Sequence, residues 1–182
     1  MKTPFEEITG EGLAPWMAYI TAQLGRSPRG LSAIAALDEH GQPAVIRVAS
    51  VVDNKPFPTL YWLIDPVLNL KLDRLEAAGW IARLQETVDA DASLRQEMAA
   101  DHIKHRRRRV QFLTPTQQTF LESHGMIAAV LERGIGGIVD PDRIRCLHTW
   151  YGAHLVESNS IGRLVDELLC QHDRNDTLVS GE

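Results

Sequence analysis

The apolar residues of this chain change period at Pro66, and that change constrains the fold more than any single motif. Before it, apolar side chains fall in short runs, residues 31–37, 44–49 and 59–64, bounded by glycine, proline and Asp-Asn turn residues. After it, they recur every three or four positions over longer segments. Short bounded runs rich in β-branched and aromatic residues read as strands, and the wider spacing reads as helix. Gly41 falls between the first two runs, as a hairpin requires, and Asp53-Asn54-Lys55 makes the next turn. Consecutive strands with short links pair antiparallel. The expected fold class is α+β: a small three-stranded antiparallel sheet near the N-terminus, packed against a mainly helical remainder.

Helix boundaries are marked along the rest of the chain. Residues 13–24 place Trp16, Met17, Ile20 and Leu24 at helical spacing, with Pro15 in the first turn and Gly25 after the last. One helix should run from Pro66 to Gly79, a second short one from Trp80, and a long polar one over residues 91–110. Thr114-Pro115, with Gln117 three residues after the threonine, has the form of a capping box, and that helix should stop at Gly125. Asp140-Pro141-Asp142 is a strong start signal and predicts a helix from there to about Glu157. Ser160 opens a last amphipathic helix. The organisation read from this is a flexible N-terminus (1–12), a single α+β domain (13–171) and a polar C-terminal tail (172–182).

Bulk chemistry narrows the classes of function. A chain of 182 residues fits one domain and can bury a core without a disulfide or a metal. A net charge of −5 argues against polyanion binding by the whole surface. Cys146 and Cys170 are the only cysteines, which gives no disulfide framework and favours a reducing compartment. The N-terminal MKTPFEEITGEG has no secretory core, and no apolar run reaches the roughly 18 residues that a membrane span needs. The expected setting is cytoplasmic, with no membrane partner.

Several stretches could carry chemistry. Residues 25–30, GRSPRG, hold Arg26 and Arg29 on a loop stiffened by Pro28, a suitable clamp for a small anionic ligand. Residues 104–110, KHRRRRV, invite a nucleic-acid reading, but consecutive residues go all the way round a helix, and the stretch reads better as a solvated helix end. His102 and His105 on the same helix are expected to be exposed. Residues 134–154, GIGGIVDPDRIRCLHTWYGAH, gather glycines, Cys146, His148 and His154. The glycines give only GxGG, a weak phosphate-loop signal. Thiolate and imidazole are transition-metal ligands, but on a helix begun at Asp140 the side chains of Cys146 and His148 would point about 200° apart, too far for one metal. His148 is the candidate general base, since imidazole titrates near neutrality. Cys170 reads as a packing residue.

LGRSPRG at 24–30, GQPAV at 41–45, PFPTLYWLIDP at 56–66, RLEAAG at 74–79 and RIRCLH at 143–148 together resemble a bacterial family catalogued as domain of unknown function 501. The resemblance brings no activity, but it implies a metal site. Members carry a Cys-x-Cys before the hairpin glycine, a cysteine before the proline that closes the PFPTLYWL strand, and the late Cys-Leu-His. Those places hold Asp38 and His40, then Asp65, then Cys146 and His148 in this sequence. The metal set that the resemblance implies is Asp38, His40, Asp65, Cys146 and His148; harder ligands in the first three places imply either a changed metal, a divalent transition metal such as zinc, or a lost one. Asp65 beside Pro66 has a second reading as a helix cap, and Asp38 and His40 as turn residues.

These readings give one expected site. Arg26 and Arg29 hold an anion, His148 and its neighbours supply the chemistry, and Tyr61 and His154 touch the substrate. Tyr61 and Trp62 alternate across their strand, so only one of them can face it. The alternative is a non-enzymatic adaptor or regulatory module that binds protein or nucleic acid through the basic helix segment 104–109, with nucleic acid disfavoured by the net charge.

Overall fold

The computed structural model describes residues 5–179, without the side chains of residues 172, 173 and 175–179. The ends of the two terminal segments read from the sequence, residues 1–4 and 180–182, lie outside the described residues. The fold is α+β. Strands β1 (Leu31–Leu37), β2 (Pro43–Val48) and β5 (Tyr61–Leu63) form an antiparallel sheet in the order β1-β2-β5. A separate two-residue ladder, β3 (Val51–Val52) with β4 (Lys55–Pro56), fills the connection from β2 to β5. Its turn residues Asp53 and Asn54 have φ of 50° and 58°, the left-handed pair that a tight two-residue hairpin needs.

Alternation along the strands sorts side chains to two faces. Tyr61 and Leu63 enter the main core, while Trp62 and Ile64 join a smaller one on the opposite face with Ile20, Ile34 and Ile46. The smaller core is covered by a 3-10 turn (Gly10–Trp16) and α1 (Met17–Leu24). The main core lies under α2 (Pro66–Ala77), α3 (Trp80–Ala90), α4 (Ala92–Gln111), α7 (Leu147–Val156) and α8 (Ser160–Val179), with α7 lying on β5. The short helices α5 (Pro115–Ser123) and α6 (Ala128–Leu131) return the chain to α4. Among the described residues, no helix is long and apolar enough to cross a membrane.

Local side-chain caps set three of the helix starts. Asp65 caps α2 by accepting from the N–H of Val67 and Leu68 at 2.8 and 2.9 Å, and Asp91 caps α4 through Ser93 and Leu94. Thr114 and Gln117 form the reciprocal capping box of α5.

Several expectations are corrected. Within the segment read as loose, Glu7 and Ile8 are held: Ile8 bridges to Ile34, and Glu7 pairs with Arg47 at 2.9 Å. Helix α8 continues through residues read as tail to Val179, and Cys170 is exposed on it rather than packed. The largest difference is at Asp140, where the expected helix does not start. Asp140 accepts from Asp142 N–H at 3.0 Å and makes a turn. Gln85 of α3 then brackets the segment, donating to Asp142 O at 2.8 Å and accepting from Ile144 N–H at 3.0 Å. These tertiary bonds occupy the backbone groups that a helix would use, so α7 begins only at Leu147.

The basic stretch on α4 is not a solvated helix end. Arg109 is fully buried and donates to the carbonyls of Val130, Arg133 and Gly134. Burial lowers its pKa to about 10, which leaves it protonated at neutral pH. His102 and His105 are buried as well, against the expectation of exposure. His102 accepts the Ile135 N–H at Nδ1, 2.9 Å, and meets Pro141 O at Nε2, 3.2 Å. Gly134 lies so close that a Cβ there would stand 2.2 Å from the His102 ring nitrogen. The GIGG stretch is thus a collar around Arg109 and His102, and its backbone groups are engaged by side chains of the protein itself.

Candidate functional site

The delayed start of α7 brings Cys146 and His148 together. Cys146 is the extended residue just before the helix, with φ −159° and ψ 127°, and His148 is in its first turn. Side chains two apart share a side on extended backbone, so the angular argument for a continuous helix does not apply. The sulfur lies 3.6 Å from His148 Nδ1. Glu76, near the end of α2, completes the group: its Oε1 is 3.2 Å from the same Nδ1 and accepts the Leu147 N–H. Asp73 and the Asn69 carbonyl approach His148 Nε2 at 3.3 and 3.4 Å. Among the described residues, Glu76, Cys146 and His148 are the one group of three metal-capable side chains whose ligand atoms lie within 4.8 Å of one another.

The group is half-buried, with His148 and Glu76 side chains 23% and 26% exposed. The His148 pKa is raised to about 9, first by the hydrogen bond to Cys146 and further by Glu76, against the burial that opposes it. The donor set fits a zinc-like ion. Tetrahedral bonds of about 2.0 Å to N or O and about 2.3 Å to S place N and S roughly 3.6 Å apart, and N and O roughly 3.3 Å apart. The observed 3.6 and 3.2 Å, which are hydrogen-bond distances without a metal, are close to those spacings, and the sulfur and carboxylate oxygen lie within 4.8 Å of each other.

The other residues expected at the site are placed elsewhere. Asp38, His40 and Asp65 line a separate pocket of about 480 Å³ with Tyr19 and Lys71. Asp38 Oδ1 accepts from the N–H of His40 and Gln42, so it closes the hairpin turn, and Asp65 is the cap of α2. Those carboxylate oxygens accept backbone N–H groups, as Glu76 Oε1 does from Leu147, but among the described residues no group of three close ligand atoms forms around them. The expected five-residue set is thus divided into Cys146 and His148 at one place and Asp38, His40 and Asp65 at another. Arg26 and Arg29 line a third pocket with Trp62.

Neither residue expected to touch substrate reaches the cluster. Tyr61 is buried, edge-on to the His105 ring at 5.8 Å. His154 ties α7 to α8, with Nε2 2.9 Å from Asp166 Oδ2 and Nδ1 accepting the Asn159 N–H at 3.1 Å.

Sequence reasoning missed Glu76 and Asp73. Acids on a helix are common and carry no spacing signal of their own. The available hint was that Glu76 lies within RLEAAG, one of the segments that carry the resemblance.

The family described as protein of unknown function, DUF501, matches residues 34–167, and the chain belongs to it. The match spans most of the sheet, the Glu76–Cys146–His148 cluster and most of the helices. No curated protein and no solved structure matches the chain.

Proposed function

We propose that this DUF501 member binds a divalent transition metal such as zinc through Glu76, Cys146 and His148, and presents it to a small-molecule ligand. The carrying observation is the match of the Sγ–Nδ1 and Nδ1–Oε1 distances, 3.6 and 3.2 Å, to the ligand spacing of a tetrahedral ion. Three protein ligands and partial exposure suit a site with an open position. Such a metal, when bound, supplies a Lewis-acid centre for a small ligand.

Each residue has a definite part in this reading. His148 offers Nδ1, while Asp73 and the Asn69 carbonyl at Nε2 fix the ring and raise its basicity, as carboxylates behind ligating histidines do. His148 is therefore a ligand rather than a free general base. Glu76 holds the first turn of α7 through Leu147 and keeps Oε1 beside the imidazole. Cys146 supplies the soft ligand that favours zinc over magnesium or calcium. Binding displaces the protons shared among these groups, so affinity rises with pH. The adaptor reading through residues 104–109 loses support, because Arg109 and His105 face the interior.

The test is elemental analysis of natively purified protein, followed by zinc titration of the chelated chain. One metal per chain is expected in the parent, with loss from Cys146→Ala and from Glu76→Gln. Asp38→Asn and His40→Gln should retain it. Full metal content in both Cys146→Ala and Glu76→Gln, or zinc binding to the parent weaker than about 10 µM, roughly −7 kcal/mol, sinks the proposal.

A further inference from the structure

We infer that a second site, between the GRSPRG loop and the β3–β4 hairpin, binds a small anion carrying a flat aromatic group, of the nucleoside monophosphate class. The pocket has a volume of about 360 Å³ and is lined by Arg26, Arg29, Lys55, Asp53, Phe57 and Trp62. That volume falls in the range of roughly 300–1,000 Å³ usual for small-molecule sites. It shares no residue with the Glu76–Cys146–His148 cluster, so it stands or falls independently of the metal.

Charge selects the anion. The lining sets three cations, Arg26, Arg29 and Lys55, against one carboxylate, Asp53, in a chain whose net charge is −5. Arg29 and Asp53 pair at 3.3 Å, with both side chains mostly exposed. An exposed pair of this kind is weak and exchanges readily for a better acceptor, while it keeps the guanidinium turned toward the pocket. Arginine forks suit phosphate oxygens.

The wall selects the flat group. The alternation of β5 that buries Tyr61 turns Trp62 to this side. The Trp62 ring lies 5.7 Å from Phe57, and the Arg26 guanidinium lies 5.3 Å above it. A stacked arginine on an aromatic floor presents a planar cationic surface to a base ring. A bare anion would leave this apolar wall unused.

The walls are held in place before a ligand arrives. Gly30 has φ +70°, and a Cβ on it would stand 2.5 Å from a Val52 methyl, so the loop lies flush on the hairpin. Ala49 N–H bonds to Gly30 O at 2.8 Å, and Phe57 N–H bonds to Ser50 O at 2.7 Å. The two arginines therefore project from a braced loop, which lowers the ordering cost of binding.

Calorimetric titration of the full chain with AMP, GMP, UMP, inorganic phosphate and adenosine tests this. At least one nucleotide should saturate a single site with a Kd below about 1 mM, and phosphate and adenosine alone should each bind at least about tenfold more weakly. Arg26→Ala and Lys55→Ala change exposed side chains, so the double variant should keep the parent melting temperature and lose at least about tenfold in nucleotide affinity. No saturation by any nucleotide at about 10 mM, phosphate binding as tight as nucleotide, or unchanged affinity in the folded double variant would each overturn the inference.

Discussion

Two polar clusters lie on the helical side of this protein, and they are built on opposite principles. At Arg109 and His102, side-chain donors end on backbone carbonyls and a backbone N–H ends on a ring nitrogen. Every named contact joins a donor to an acceptor, and the whole is buried. At Glu76, Cys146 and His148, a sulfur and a carboxylate oxygen face the same imidazole Nδ1, and the group remains half-exposed. The first arrangement holds a loop. The second is the one proposed to take a cation. Residue type alone would rank them the other way, since the basic stretch looks more like a binding site than a lone Cys-Leu-His.

The sharpest way to break this comparison is to remove Arg109. Arg109→Ala leaves the carbonyls of Val130, Arg133 and Gly134 without their donor and opens a cavity, and it should cost about 3–5 kcal/mol in chemical denaturation. Arg107→Ala, on the exposed side of the same helix, should stay within about 0.5 kcal/mol. Equal effects of the two would mean that the basic stretch is a surface feature after all.

Acid should reach the closed cluster next. Burial lowers the His102 pKa to about 4, with Arg106 acting in the same direction and Asp101, Asp142 and the Pro141 carbonyl opposing. The unfolded chain protonates this side chain near pH 6.5, so it binds more protons than the folded chain between those values. The His102 contribution is complete above about pH 6.5, is lost as pH falls, and levels off below about 4, with a total near 3 kcal/mol. Protonated Nδ1 can no longer accept the Ile135 N–H. His105, lowered to about 3 by burial and by Arg109 and His102, adds a loss that begins at the same pH and runs further into acid. Unfolding free energies measured from pH 7.5 to 4 should show the joint slope of both imidazoles, and His102→Gln should reduce it by about half.

The open cluster should respond in metal affinity rather than in stability. Asp73→Asn removes the charge behind His148 Nε2 and should weaken zinc binding about tenfold, with melting of the chelated protein almost unchanged. A large loss of stability with unchanged affinity would assign Asp73 to the fold. The smallest expected effect is at the cap of α2. Asp65→Ala should cost about 1 kcal/mol, because it removes the acceptor for Val67 and Leu68, and leave metal content intact, because Asp65 lies outside the Glu76–Cys146–His148 group.

Much of the fold was legible because its signals are local. The hairpin at Gly41, the left-handed turn at Asp53-Asn54, the Thr114–Gln117 capping box and the cap at Asp65 each depend on residues a few positions apart. The site was less legible. The start signal at Asp140 is as strong by local rules as the one at Thr114, yet Gln85, 57 and 59 residues away, holds the following segment off the helix. That displacement alone determines whether Cys146 and His148 diverge or meet.

The sequence by itself determined the class of the fold, the switch from strands to helices at Pro66, and the family to which the chain belongs, because periodicity, caps and turns act over short spans. Only the tertiary structure decided which polar residues stay available. Long-range contacts bury Arg109 and His102 under the GIGG collar, place Trp62 rather than Tyr61 beside Arg26, and bring Glu76 to Cys146 and His148 from 70 and 72 residues away. Burial and pairing are properties of neighbours in space, and a residue's chemistry depends on those neighbours as much as on its own type.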